Sequence, residues 1–203
     1  MTKLFFASKN KDKIIKMKNR LKNLPIKVLT PYDLDVNIDI DENGTNVIEN
    51  ATLKANAYCE KVKIPTVATD SSLYVEKFKH QPGLFVKRIN GVEIREDDLE
   101  KHYINELNKI GGKSSAYYIT GLVLVQNNNV NSIEIKEDDF IFTSDRCEDR
   151  RSYDPLSRLE YDIKMEKYFC QLTADEMDSR GYRFDKKVRD FIERNLKCKE
   201  NLK

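Results

Sequence analysis

The sequence predicts an α/β fold. Three observations carry that expectation. A short apolar run, a helical stripe and a second apolar run follow one another at the start of the chain. A second helical stripe then delivers the chain into a third apolar run ending at Asp70. Further on, a long run from Ala116 to Gln126 is followed by a turn and a second alternating run. A strand, a helix and a strand in immediate succession form a parallel pair joined by a crossover helix.

Each element has its own reason. Lys3 to Ala7 reads as a short buried strand. The next helix is expected from about Lys9 to Leu24, with Ile14, Met17, Leu21 and Leu24 spaced three or four apart on one face. Pro25 ends it, and Ile26 to Leu29 forms a second strand. The acidic stretch from Asp33 to Asn43 is expected as loop. Thr45 is the expected N-cap of a helix reaching about Lys61, with Ile48, Ala51, Ala55, Tyr58 and Val62 inside. Thr66 to Asp70 is the third strand. Gln81-Pro82-Gly83 marks a turn, and Glu96 to Ile110 a helix closed by Gly111-Gly112. Ala116 to Gln126 pairs across the turn Asn127 to Asn129 with Ser132 to Thr143. Ser144 to Leu159, rich in Arg and Asp, is expected as loop. Tyr182 to Leu196 is the last helix, with Phe184, Val188, Phe191 and Ile192 inside.

Composition excludes several classes. A chain of 203 residues buries a core without a disulfide or metal staple, and fits one domain, either undivided or as two lobes around one cleft. No apolar run approaches the roughly 20 residues a bilayer requires. After Met1 only Leu4, Phe5, Phe6 and Ala7 form an apolar run, so no secretory signal is expected and the protein is placed in the cytoplasm. Lys and Arg total 36 against 34 Asp and Glu, a net charge of +2, which argues against holding nucleic acid by bulk electrostatics. The basic run from Lys9 to Lys27 is read as a solvated helix face. Cys59, Cys147, Cys170 and Cys198 have no C-x-x-C spacing and only His80 and His102 as company, so free thiols are expected rather than a zinc site.

Three segments carry chemistry. Ser8-Lys9-Asn10-Lys11-Asp12-Lys13 lies at the junction of the first strand and helix. Such a junction presents backbone N–H groups and a positive dipole end, which suits phosphate. Glu42-Asn43-Gly44-Thr45, then Glu49-Asn50-Ala51-Thr52-Leu53-Lys54-Ala55, sets an acid before a helix and Asn50 and Lys54 one turn apart on it. Thr69-Asp70-Ser71-Ser72-Leu73 falls just beyond a strand's carboxyl end, where open α/β sheets bind ligands. Two carboxylates from separate segments near converging lysines make a Mg²⁺–phosphate site.

In this order and spacing the segments resemble the inosine triphosphate pyrophosphatase family, which removes nonstandard purine nucleoside triphosphates. The resemblance runs from Lys3 to about Ile192. Ser8 to Lys13 resembles the family's (T/S)-x-N-x-x-K, and Glu42 to Ala55 is similar to E-x-G followed by E-N-A-x-x-K-A. Val67 to Leu73 resembles A-D-D-S-G-L, Pro82 to Arg88 resembles P-G-V-Y-S-A-R, and Ser152-Tyr153-Asp154-Pro155 resembles the end of G-F-G-Y-D-P.

The resemblance implies a mixed, elongated central sheet flanked by helices, two lobes around a deep nucleotide cleft, and a homodimer. It implies Ser8, Asn10, Lys13, Lys54 and Ser71 facing the triphosphate and Asn50 among the substrate-binding residues, with Lys13 and Lys54 neutralising charge in catalysis. Glu42 and Asp70 would hold Mg²⁺, and Asp70 would orient or deprotonate the attacking water. Arg88 would complete the cleft, near phosphate or as a structural partner, and Arg151, Tyr153, Asp154, Met177, Tyr182 and Arg183 would bind the substrate, with Arg151, Met177 and Tyr182 at its base. The implied reaction is water attack on the α-phosphorus of a nucleoside triphosphate, giving a monophosphate and pyrophosphate.

The departures fall mainly on the base end. The family's stacking aromatic falls on Arg151, and its late K-N-x-x-S-H-R is here Met177-Asp178-Ser179-Arg180-Gly181-Tyr182-Arg183. Met177 removes the donor the family uses to read a purine 6-oxo group, so base specificity is expected to move away from inosine and xanthosine. Thr69 replaces the first acid of the family's D-D, and Lys16 takes the place of a Glu common in relatives. The alternative reading is a catalytically weak nucleotide-binding or sensing protein. Retention of both Glu42 and Asp70 favours the enzyme, because binding alone needs no water-orienting carboxylate.

Overall fold

Helices and strands alternate in the first part of the chain and strands predominate after it; the computed structural model describes residues 1–89, 91–149 and 154–196. The first half contains β1 (Thr2–Phe6), α1 (Lys11–Leu21), β2 (Ile26–Leu29), the short α2 (Pro31–Leu34), α3 (Val47–Val62) and β3 (Thr66–Val75). Three short strands follow, β4 (Gln81–Gly83), β5 (Arg88–Ile89) and β6 (Val92–Glu93), and then α4 (Glu96–Lys109). The second half holds β7 (Lys113–Gln126), β8 (Asn129–Lys136), β9 (Phe140–Thr143), β10 (Glu160–Asp162), β11 (Lys167–Tyr168) and α5 (Ala174–Asn195). The chain divides into two compact units, and the boundary between them falls within β3, β7, β8 and α5.

The first unit takes Met1–Asp70, Thr120–Ile135 and the residues from Arg183 on. Its sheet begins with parallel strands: β1 pairs with β2 (Leu4↔Val28) and with β3 (Phe6↔Val67). Strand side chains alternate between faces, and β1 shows what that does here. Leu4 and Phe6 pack with Met17 and Leu21 of α1 and with Val188 and Ile192 of α5. Phe5 and Ala7, facing the other way, pack with Ala51, Ala55 and Tyr58 of α3. Small residues on α3 let it lie close. A Cβ on Gly121 of β7 would come 2.8 Å from the Val47 carbonyl, so glycine is what admits the start of α3.

The second unit takes Ser71–Ile119 and Lys136–Tyr182. Here β4 runs antiparallel to the later part of β3, and β7, β9, β10 and β11 form an antiparallel series. The stripe Leu99, Tyr103 and Leu107 of α4 packs on Phe140 and Phe142 of β9. Positive-φ Gly111 and Gly112 close α4, a conformation that costs glycine little. Buried charges are paired. Arg158 donates to the Cys147 carbonyl and to Glu100. Arg180 donates to Asp162 at 2.7 Å and lies 4.0 Å above the Phe169 ring. Burial works to raise the Asp162 carboxyl, but the Met165 amide and Arg180 more than offset it, leaving it below its ordinary value.

The α/β class and the mixed sheet flanked by helices match the expectation. Several boundaries do not. The first helix is shorter than expected because Asn10 caps it and the chain leaves it at Lys22. The expected hairpin partner is two strands, β8 and β9, separated at Glu137 to Asp139. The expected loop before Leu159 contains a 3₁₀ turn over Pro155–Arg158. The last helix starts at Ala174, not Tyr182, so the Met177–Arg183 motif is helical. Among the described residues Cys59, Cys147 and Cys170 carry free thiols, and burial beside Cys147 pushes the Cys170 thiol up to about 12. Cys198 lies outside the described residues.

Candidate active site

Everything begins with how α3 is started. Asn46, not Thr45, is the N-cap: its Oδ1 accepts the Glu49 N–H at 2.9 Å. Glu49 reaches back, accepting the Thr45 N–H at 2.6 Å and the Thr45 hydroxyl at 2.9 Å. The Thr45 backbone bond, then its hydroxyl, hold the Glu49 carboxyl below its ordinary value. Such reciprocal bonding satisfies donors at a helix start and fixes the angle at which the chain enters. The Glu of the E-N-A string is thus a structural residue of the loop that carries Glu42.

The next residue faces inward. Asn50 is 5% exposed, and its two ends do different things. Oδ1 accepts the Gly44 N–H at 2.8 Å, and Nδ2 donates to Asp70 Oδ2 at 3.2 Å. One turn on, Lys54 places its ammonium between two carboxylates, 2.9 Å from Glu42 Oε2 and 2.8 Å from Asp70 Oδ1. The Lys54 and Asp70 side chains are 13% and 15% exposed, Glu42 37%. The structure therefore brings together Glu42, Asn50, Lys54 and Asp70. Two hard oxygen donors meeting at one cationic position fit Mg²⁺, which binds through one or two carboxylates and completes its shell with water and phosphate. Among the described residues no cluster of three or more His, Cys, Asp or Glu forms an all-protein cage.

Asp70 is not beyond a strand's end, as expected, but inside β3. β3 continues to Val75 because, after pairing with β1 at Thr66 and Val67, it takes β4 as an antiparallel neighbour at Leu73 to Val75. β1 itself ends at Phe6, and the Ala7 N–H donates to the Val67 carbonyl at 2.8 Å. The segment Ser8–Lys13 thus leaves β1 at the end of the sheet towards which β3 runs to Asp70. Within it, the Ser8 hydroxyl accepts the Asn10 N–H at 3.2 Å, and Asn10 Oδ1 accepts the Lys13 N–H at 3.0 Å. Asn10 spends its acceptor on the helix cap, which leaves its amide donors as the atoms suited to phosphate. Lys13 is half-buried on the first turn of α1.

The other expected site residues are placed as follows. Ser71 is half-buried on β3 beside Asp70. Arg88 is exposed on β5, opposite Glu93. Asp154 caps the 3₁₀ turn by accepting the Leu156 N–H at 3.1 Å. Met177 is half-buried, Tyr182 and Arg183 are exposed, and all three lie on α5. Arg151 and Tyr153 lie outside the described residues. Sequence reasoning missed the structural duty of Glu49, although an N-capping Asn three residues before a Glu is a readable signal. It also missed Arg180, which holds Asp162.

The sequence matches the Ham1 family over residues 4–185, nearly the whole chain and all of the cluster. The chain belongs to the Ham1 family. A protein from Thermoanaerobacter pseudethanolicus, named dITP/XTP pyrophosphatase, is 29% identical over 200 residues, covering 97% of this chain and 100% of its own. A dITP/XTP pyrophosphatase from Lactobacillus johnsonii is 32% identical over 194 residues, covering 90% of each chain. The Ham1 protein of Staphylococcus aureus superposes with a TM-score of 0.75 at 19% identity, covering 95% of this chain and 98% of its own. That of Coxiella burnetii gives 0.76 at 20% identity, covering 94% and 100%. These Ham1 structures share the fold. Among the described residues no helix is long and apolar enough to cross a membrane.

Proposed function

We propose that this Ham1 protein is a Mg²⁺-dependent nucleoside triphosphate pyrophosphatase whose base preference is shifted away from inosine and xanthosine. The observation that carries the reading is the Lys54 ammonium held between Glu42 and Asp70, with Asn50 on the second oxygen of Asp70. The names of the curated relatives support the reaction class. Mg²⁺, when bound, would neutralise phosphate charge and polarise the phosphorus. The residues that would hold it are Glu42 and Asp70. Asp70 accepts the proton of the attacking water. A bond forms from that oxygen to the α-phosphorus, the α–β bridging bond breaks, and pyrophosphate leaves with the electron pair. Lys13 and Lys54 supply positive charge to the phosphate oxygens, while Ser8, Asn10 and Ser71 supply donors. Phosphoryl transfer asks the protein for this positioning and neutralisation more than for covalent chemistry.

The shift in base preference rests on Met177, which has no donor for a 6-oxo acceptor, and on Tyr182 in place of histidine. A homodimer in the cytoplasm, acting on a free nucleotide rather than nucleic acid or membrane, completes the proposal. The test is a panel of standard and modified nucleoside triphosphates assayed for pyrophosphate with Mg²⁺ and with EDTA, in wild type and Asp70→Asn. Pyrophosphate release with Mg²⁺, falling about 100-fold or more in Asp70→Asn, is the expected result. Near wild-type kcat in folded Asp70→Asn would refute the assignment. Nucleotide binding without turnover by the wild type would favour a sensing protein instead.

A further inference from the structure

We propose that Asn50 is a positioning residue for the catalytic carboxylate, and not a substrate ligand. This deepens the pyrophosphatase reading and rests on it. Asn50 is 5% exposed, so it is poorly presented to a ligand. Its two polar ends face protein groups of opposite need. Oδ1 holds the Gly44 N–H at 2.8 Å, two residues beyond Glu42, and Nδ2 holds Asp70 Oδ2 at 3.2 Å. One planar amide therefore ties the loop that carries Glu42 to the strand that carries Asp70. Because the amide is rigid, it fixes the separation of the two carboxylates whether or not Lys54 lies between them.

Two neighbouring features serve the same tie. A Cβ on Gly44 would come 2.6 Å from Asn50 Oδ1, so glycine is what allows the loop to approach the amide. Glu49 pins Thr45 on the other side, so successive helix residues hold successive loop residues. Asn50 also leaves Asp70 Oδ1 to Lys54, which orients the carboxylate by using a different oxygen for each partner. A donor at one oxygen selects the rotamer in which the other oxygen faces the cation.

The two halves of the amide can be separated experimentally. Asn50→Asp keeps an acceptor for the Gly44 N–H and loses the donor to Asp70; Asn50→Ala loses both. Full-length variants are compared by kcat and KM on the best triphosphate of the panel, by thermal melting, and by NMR of ¹⁵N-labelled asparagine side chains. The Asn50 amide signal is the one missing in Asn50→Asp. Both variants are expected to lose about 10- to 100-fold in kcat, the scale of a small misplacement of a catalytic group. In Asn50→Ala the KM should stay within about 3-fold, since no substrate contact is removed. Asn50→Asp should retain a cooperative melt, and in otherwise wild-type protein the Asn50 amide signal should shift when Asp70 becomes Ala.

A raised KM with intact kcat in Asn50→Ala would make Asn50 a substrate ligand and overturn the inference. Intact kcat in Asn50→Asp would reduce it to a loop anchor and overturn it equally. An Asn50 amide signal blind to Asp70→Ala would do the same. If Asn50→Ala fails to fold, Asn50→Asp and the amide signal decide. Asp70→Asn separates the two readings. Turnover surviving that change sinks the pyrophosphatase site itself, whereas its loss together with intact kcat in the Asn50 variants sinks only the positioning role.

Discussion

Removing the Lys54 ammonium tests the polar cluster without any substrate. Lys54→Met keeps the length and apolar stem of the side chain but leaves Glu42 and Asp70 without the cation between them. The contacts at stake are 2.9 Å and 2.8 Å long. An exposed ion pair contributes at most about 1 kcal/mol, whereas orphaning one partner of a buried pair costs about 3–5 kcal/mol. Asp70, at 15% exposed, lies nearer the buried case, and Glu42, at 37%, nearer the exposed one. Asn50 still donates to Asp70 and offsets part of the loss. The cost should therefore be about 2–3 kcal/mol, which lowers the melting temperature of a chain this size by roughly 5–10 °C. Mg²⁺ sharpens the test. If Glu42 and Asp70 hold Mg²⁺ as proposed, the ion would compete with Lys54 for the carboxylates in wild type and meet no such competitor in the variant. Thermal melts with EDTA and with Mg²⁺ should show the variant gaining more from the ion than wild type. A variant melting within about 1 °C of wild type in EDTA, or an equal gain from Mg²⁺ in both proteins, would refute the argument.

Other changes probe separate parts of the molecule. Lys13→Ala should reduce kcat/KM by about 10- to 100-fold for every base alike, the scale of one charge-assisted hydrogen bond, and a change in base preference at unaltered rate would contradict its phosphate role. The double variant Met177→Lys/Tyr182→His should raise kcat/KM for inosine triphosphate by about 10- to 100-fold, whereas inosine or xanthosine triphosphate as the best wild-type substrate would contradict the proposed shift. Gly121→Ala drives a methyl to 2.8 Å from the Val47 backbone and should destabilise the fold by about 1–3 kcal/mol in urea unfolding; wild-type stability would show that α3 yields without cost.

What could be read from the sequence was what local chemistry dictates. The stripe Ile14, Met17 and Leu21 marks α1, and all three are buried. The E-N-A-x-x-K string placed Asn50 and Lys54 one turn apart, and their common approach to Asp70 followed. Direction was harder to read than proximity. Asn50 is expected to bind substrate, yet nothing in residue spacing tells an amide aimed at substrate from one aimed at a neighbouring carboxylate. The short strands β10 and β11 escaped notice because two or three residues carry no period, and their pairing partners lie elsewhere in the chain. The first turns of α5 give no helical stripe because Ala174 to Gly181 offers Met177 as its one large apolar residue; that segment is held by charged contacts such as Arg180 to Asp162. The sequence ends β3 at Asp70 because Ser71 and Ser72 look like loop, although Ser72 is fully buried and its hydroxyl donates to the Ile119 carbonyl.

The bonds that assemble the polar cluster span only 12, 16 and 20 residues. Closing such short loops costs little chain entropy, and each doubling of loop length would add only about 0.6 kcal/mol. The segment from Glu42 to Asp70 therefore holds every donor and acceptor of the cluster in one stretch of chain, resting on β1 by parallel pairing at Thr66 and Val67. New termini opened at the Asn127–Asn128 turn, where both residues take positive φ, would leave every bond of the cluster uncut. The polar bonds are thereby independent of how the later strands are connected, while Gly121 of β7 must still admit the start of α3.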